Sequence, residues 1–283
     1  MNDLPNRLTD IEEVDARRQR ELAARRVATV VIPARLGSTR FPGKVLAADT
    51  GRPMIAHVYQ AAINSKAVHR VVIATDDKKV LQAVRAFGGE AVMTSPKHDN
   101  GTSRIAEAAD ILGLPNDEIV VNAQGDEPEL ESTLISATVR ALVLSGAAMS
   151  TVACPFAEGD DLEDRNVVKV VRRIDGAALY FSRAPVPSDR DKDAPPEAQP
   201  LRHVGLYAYR AGFLRKYAKL PPTPLERAEK LEQLRALEHG YAIAVAVRPV
   251  RLYGGIDTPE QYKAFVARWR NRRGELPPET DVD

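Results

Sequence analysis

From residue 27 onward the chain alternates short, nearly continuous apolar runs with stretches whose apolar residues recur at helical spacing. The runs at 27–32 (VATVVI), 70–74, 91–93 and 118–121 are rich in β-branched residues and bounded by turn formers. That is the pattern of strands covered on both faces. Between them, 53–64, 78–87 and 103–112 predict helices. Repeated β-α-β-α units predict an α/β fold: a mostly parallel central sheet with helices on both faces, Rossmann-like in the manner of nucleotidyltransferases. Ligands of such sheets bind beyond the carboxyl ends of the strands, so the loops there are the place to look for chemistry.

The second half is less regular and predicts a smaller mixed α+β lobe. Residues 167–172, 178–181, 204–209 and 242–247 read as strands, 226–238 as one helix and 259–269 as a closing helix. The proline- and charge-rich stretch 185–200 is expected to be a mobile loop. Four regions follow: a charged arm (1–26), a nucleotide-binding half (27–150), a sugar-binding and dimerising half packed on the same sheet (151–273), and an acidic, proline-bearing tail (274–283) expected to be disordered. Within the arm, 9–24 predicts a weakly amphipathic helix with Ile11, Val14 and Leu22 on one side. Its acids, Asp10, Glu12, Glu13, Asp15 and Glu21, argue against an organelle transit peptide.

Composition narrows the field. Forty basic and 39 acidic residues leave a formal charge of +1. That balance gives no support for a general nucleic-acid or membrane-surface binder, while leaving room for a local basic pocket. One cysteine, Cys154, excludes an internal disulfide and a multi-cysteine zinc site. With no signal peptide and no apolar run of membrane-spanning length, a cytosolic setting is expected.

The loop after the first strand carries the densest chemistry: Pro33-Ala34-Arg35-Leu36-Gly37-Ser38-Thr39-Arg40-Phe41-Pro42-Gly43-Lys44. Glycines let backbone N–H groups approach phosphate oxygens, and Arg35, Arg40 and Lys44 neutralise charge. A Walker loop needs four residues between its glycines and a hydroxyl residue after the lysine; here five intervene and Val45 follows. The dinucleotide fingerprint G-x-G-x-x-G is absent. The loop suits a polyphosphate yet belongs to neither class.

Ala34-Arg35-x-x-Ser38-Thr39-Arg40-x-Pro42-Gly43-Lys44 resembles the signature of the CMP-Kdo synthetases, the 3-deoxy-manno-octulosonate cytidylyltransferases. Further segments match in order: Ala74-Thr75-Asp76, Gly101-Thr102-x-Arg104, Gln124-Gly125-Asp126-Glu127-Pro128, Tyr180-Phe181-Ser182-Arg183, Arg202-His203-x-Gly205-x-Tyr207, Leu231-Glu232-Gln233-Leu234-Arg235 and Asp257-Thr258-Pro259-Glu260. The resemblance spans roughly residues 27–270. It implies transfer of CMP from CTP to an acidic eight-carbon sugar, Kdo, with release of pyrophosphate, for lipopolysaccharide or a related glycan. It implies Arg35, Arg40 and Lys44 as catalytic cations. Ala34, Ser38, Thr75, Asp76 and Thr102 would border the nucleotide, and Gln124, Arg183, His203, Tyr207, Glu232 and Gln233 the sugar. Asp126 and Asp257 would hold Mg²⁺, and the family's members are commonly homodimers.

The residues on their own are less decisive. Asp126 follows a strand at the sheet's carboxyl edge, where a carboxylate suits Mg²⁺ held against phosphates; it also suits a turn before Glu127-Pro128. Asp257 precedes Thr258 as an N-cap and Pro259 at the first helical position, an ordinary helix start. Spacing does not show that the two aspartates converge. Another acid sugar as substrate, or a silent nucleotide-binding paralogue, stays open. Ser103, Arg165, Phe41 and Gln261 depart from the family's usual residues and bear on the choice of sugar.

Overall fold

The computed structural model describes residues 27–191 and 193–272, so the predicted arm helix and the tail lie outside the described residues. In chain order the first half comprises β1 (Ala28–Ala34), α1 (Met54–Ile63), β2 (Val68–Thr75), α2 (Lys78–Ala86), β3 (Glu90–Met93), α3 (Gly101–Ile111), β4 (Ile119–Asn122) and α4 (Ser132–Ser145). Then come β5 (Met149–Pro155), β6 (Lys169–Arg172), β7 (Ala178–Ser182), β8 (Leu201–Arg210) and α5 (Ala211–Tyr217). The chain continues through α6 (Pro224–Glu229), α7 (Gln233–Glu238), β9 (Ile243–Val247) and α8 (Pro259–Arg272).

One sheet runs in the order β3-β2-β1-β4-β8-β5-β9, with β6 and β7 as a hairpin attached to β8. The pairs β3–β2, β2–β1, β1–β4 and β5–β9 are parallel, and β8 lies antiparallel between β4 and β5. The predicted fold class is the one observed. Alternate residues of β1 explain the layering: Val30 and Ile32 face α1, α2 and α4, while Val31 faces α3, α5 and α7. Burying each such side chain stabilises the fold by about 1.5–3 kcal/mol. On α8, Tyr262, Phe265 and Val266 pack on Met54 and Ile256, which anchors the segment carrying Asp257.

The structure corrects one predicted element. Residues 226–238 do not form a single helix: Lys230 takes a left-handed conformation (φ 54°) and separates α6 from α7. The Arg183 guanidinium explains the break, because Nε donates to the Glu229 carbonyl at 2.7 Å and Nη2 to that of Lys230 at 3.4 Å. The carbonyls freed at the end of α6 are satisfied there rather than by the next helical turn. The stretch 185–200 is irregular apart from a single 3-10 turn at Pro196–Ala198. Sequence reasoning did not place α4 or β5: α4 has no side-chain cap at Glu131 to mark its start, and β5, buried along almost its whole length, shows no alternation.

Candidate active site

The loop after β1 folds back on itself through Gly43 N–H to the Leu36 carbonyl at 3.1 Å. Gly43 sits at φ 71°, a conformation that favours glycine, and it aims Lys44 inward. From there Lys44 Nζ donates to Asp126 Oδ2 at 2.7 Å, to Asp257 Oδ1 at 2.9 Å and to the Ile256 carbonyl at 2.8 Å. Arg40 Nη2 meets Asp257 Oδ2 at 2.8 Å. The two aspartates, remote in sequence, therefore converge on one cation. Two backbone features enforce this. Ile256 N–H donates to the Asp126 carbonyl at 2.8 Å. Gly125 lies so close to β1 that an added Cβ would stand 2.7 Å from the Pro33 carbonyl oxygen.

Asp257 is also fixed from its own helix. Thr258 caps α8, accepting from Gln261 N–H at 3.3 Å, and Gln261 Oε1 accepts from the backbone N–H of Asp257 and Thr258 at 2.7 and 3.0 Å. This is a capping box, and glutamine's carbonyl oxygen serves as well there as an acid. Helix cap and candidate metal ligand are thus compatible readings of the same segment.

Ala34, Arg35, Ser38, Arg40, Lys44, Gln124, Asp126 and Asp257 line one cavity of about 430 Å³. Three residues expected beside the nucleotide lie behind it. Thr75 is buried and accepts from Asp77 N–H, Asp76 accepts from Arg104 Nη2 at 3.1 Å, and Thr102 Oγ1 donates to Glu232 Oε2 at 3.2 Å. Sequence reasoning missed three lining residues, His98, Asn100 and Arg104. Arg104 stood inside a matched motif and was open to discovery. His98 becomes legible only through its neighbours, Ser103 Oγ on Nδ1 and Glu107 on Nε2.

A second cavity of about 320 Å³ holds His203, Tyr207 and Gln233 together with Glu127, Asn166 and Arg202, which sequence reasoning had not singled out. Its polar atoms are oriented. Thr151 Oγ1 donates to the Leu206 carbonyl at 2.7 Å, so toward His203 Nε2, at 3.0 Å, it accepts, which leaves Nδ1 as the acceptor of that ring. Burial pushes the His203 pKa down to about 3, so the imidazole is neutral, and holds the Tyr207 phenol well above its ordinary range as a donor. Gln233 Nε2, in this lining, is buried without a hydrogen-bond partner. Glu232 itself does not line the cavity, and neither does Arg183. Arg183 is turned to main-chain carbonyls of Arg165, Glu229 and Lys230.

Charge is concentrated where the cavities meet. Burial alone would lower the Lys44 pKa, but Asp126 and then Asp257 outweigh it and hold it above the ordinary value. Burial likewise opposes ionisation of Asp257, and Lys44 and Arg40 overcome it, keeping that carboxyl below its ordinary range. Glu127, next to Asp126, goes the other way: burial and the Asp126 charge push it up to about 7, with Arg202 pulling against them. Two carboxylates that already share an ammonium fit a Mg²⁺ site, since that ion takes one or two carboxylates and completes its shell with substrate phosphates and water.

A loop with three cations and two glycines at the carboxyl edge of a parallel sheet, two carboxylates facing it and an adjoining polar cavity are the arrangement of a nucleotidyltransferase. A sequence model of the family described as cytidylyltransferase matches residues 29–243. The 3-deoxy-manno-octulosonate cytidylyltransferase of Halorhodospira halophila is 49% identical, over 87% of this chain and 98% of its own length. That of Anaeromyxobacter dehalogenans is 53% identical, over 83% and 94%. A solved structure of a CMP:2-keto-3-deoxy-manno-octonic acid synthetase complexed with CTP superposes with a TM-score of 0.80 at 38% identity, covering 87% of this chain and 99% of that one. The chain belongs to the 3-deoxy-manno-octulosonate cytidylyltransferase family.

Proposed function

We propose that this chain transfers CMP from CTP to 3-deoxy-manno-octulosonate, the reaction for which its relatives are named. One observation carries the reading: the consecutive residues Asp126 and Glu127 line different cavities, the first facing the phosphate loop and the second facing His203, Tyr207 and Gln233. A triphosphate in one cavity and a sugar in the other would meet at that peptide.

The reaction joins the sugar's anomeric oxygen to the α-phosphorus and breaks the bond from that phosphorus to the bridging oxygen, which leaves with pyrophosphate. Arg35, Arg40 and Lys44, with the loop's backbone N–H groups, hold and neutralise the triphosphate. His203 Nδ1 and the Tyr207 hydroxyl orient the sugar's hydroxyls. Asp126 and Asp257 would hold Mg²⁺, which when bound supplies charge neutralisation and makes the attacking hydroxyl more acidic. As CTP binds, Lys44 exchanges its carboxylate partners for phosphate oxygens. The chemistry is chiefly one of placement and electrostatics.

We extend the reading to a cytosolic homodimer. Among the described residues no helix is long and apolar enough to cross a membrane. The outer strand β7 of the second half exposes Leu179, and the hairpin before it exposes Ile174, both apolar and suited to a second copy. Pyrophosphate release from CTP and Mg²⁺, with Kdo, amino-Kdo and sialic acid in parallel, tests the activity. Fastest release with Kdo is expected, and none with any sugar would overturn it. Sedimentation velocity tests the dimer.

A further inference from the structure

Asp126 and Asp257 sit on segments from distant parts of the chain, the turn after β4 and the start of α8. Backbone joins those segments at the Ile256 N–H, which donates to the Asp126 carbonyl at 2.8 Å. A single neutral hydrogen bond contributes only modestly to such a join. A stronger tie lies just beyond Asp126. Glu129 directly follows the Gln124–Pro128 segment, and its side chain is 5% exposed. Its carboxylate takes a two-pronged contact from Arg268 on α8: Nη2 donates to Oε2 at 2.5 Å, and Nε lies 3.2 and 3.1 Å from Oε1 and Oε2. Arg272, one helical turn further on, donates to Oε1 as well.

Tyr253, in the loop that leads to Asp257, lies under the same two guanidinium groups, its ring centroid 4.7 Å from Arg268 Cζ and 5.5 Å from Arg272 Cζ. The chain is therefore held on both sides of Asp257, at Tyr253 before it and at Arg268 after it. Both holds close on the turn that bears Asp126. A buried carboxylate in a two-pronged pair is costly to disturb, because removing one partner strands the other's charge. None of Glu129, Tyr253 and Arg268 lines the cavity that contains the two aspartates. We propose that Glu129 is a positioning residue for the transfer reaction: through Arg268 it holds Asp257 beside Asp126, where the two can share a divalent cation. The metal half of this assignment rests on the proposed Mg²⁺ role of the two aspartates.

Two readouts test the assignment in Glu129→Gln and Arg268→Gln. Arg215→Gln is a destabilising control elsewhere, since Arg215 binds Asp110 and the Leu114 carbonyl. The first readout needs no metal: hydrogen exchange of the Ile256 amide, followed by NMR on the full chain, reports how often the two segments part. Glu129→Gln and Arg268→Gln are expected to speed it on the order of 10- to 100-fold, the range for a lost charged hydrogen bond, and Arg215→Gln to leave it alone. The second readout is calorimetric Mn²⁺ titration. The two variants should weaken Mn²⁺ on the order of 10-fold, as loss of groups that support metal ligands does. Wild-type Mn²⁺ binding that Asp257→Asn removes is the control for the metal reading. If that control fails, the aspartates are not a metal site, and amide exchange still decides whether Glu129 holds them together. Wild-type exchange at Ile256 in either folded variant, or an equal rise in Arg215→Gln, would overturn the assignment. So would an unchanged Mn²⁺ affinity where the Asp257→Asn control succeeds.

Discussion

Lys44 Nζ lies 2.7 Å from Asp126 Oδ2, and the same ammonium reaches Asp257 and the Ile256 carbonyl. It occupies the point on which both carboxylates converge, so a divalent cation held by the two aspartates would compete with Lys44 for that point. Replacing Lys44 by Met should raise the affinity for Mn²⁺ alone on the order of tenfold or more, because a unit charge about 3 Å from both carboxylates is removed. Turnover should be lost at the same time. Calorimetric titration without nucleotide checks this, and unchanged Mn²⁺ affinity would refute the competition.

Asp126→Asn and Asp257→Asn should each lower kcat on the order of 10²- to 10³-fold, the cost of losing a preorganised electrostatic group. On the proposed reading both carboxylates hold one cation, so the double variant should be little worse than either single one. Pyrophosphate-release kinetics decide the matter: multiplicative losses would mean that the two residues act independently.

Gly125→Ala should unfold more easily than the wild-type chain and lose activity together. The added Cβ meets the Pro33 carbonyl oxygen at 2.7 Å and the buried Ile55 side chain at 3.1 Å, so it has little room to relax. A cost of about 1–3 kcal/mol is expected from such overpacking. A thermal melt matching that of the wild type would show that the loop shifts freely.

His57 is buried against Phe265 and Trp269, and burial, aided by the Arg52 charge, lowers its pKa to about 4. Between pH 6.5 and 4 the folded chain therefore binds fewer protons here than the unfolded chain. The contribution is whole above pH 6.5 and declines as pH falls, by about 1.4 kcal/mol per unit at its steepest. Urea unfolding of wild type and His57→Gln at pH 7.5 and 4.5 isolates this residue from others titrating in the range, Glu127 among them. Acidification should cost the wild type about 2 kcal/mol more than the variant. Equal losses would mean that His57 titrates normally.

The alternation of apolar runs and helical stretches determined the parallel units from β1 to β4, because strands covered on both faces leave a β-branched signature that needs no partner to be read. The cap of α8 was legible as well, because it is a local arrangement of neighbouring residues. The break at Lys230 was not legible, since the helical pattern continues across it and the cause, Arg183, lies 47 residues away in the chain. The meeting of Lys44 with Asp126 and Asp257 spans 82 and 213 residues. Only the strand order, with β8 antiparallel between β4 and β5, brings His203 and Tyr207 beside the turn after β4. Side-chain direction was likewise a tertiary matter. Arg183 reads in sequence as a sugar ligand, yet packing turns it to the backbone carbonyls of Arg165, Glu229 and Lys230. Sequence sets which groups are available and on which face of an element they stand; where they point depends on the burial and hydrogen bonds that neighbours from distant parts of the chain impose.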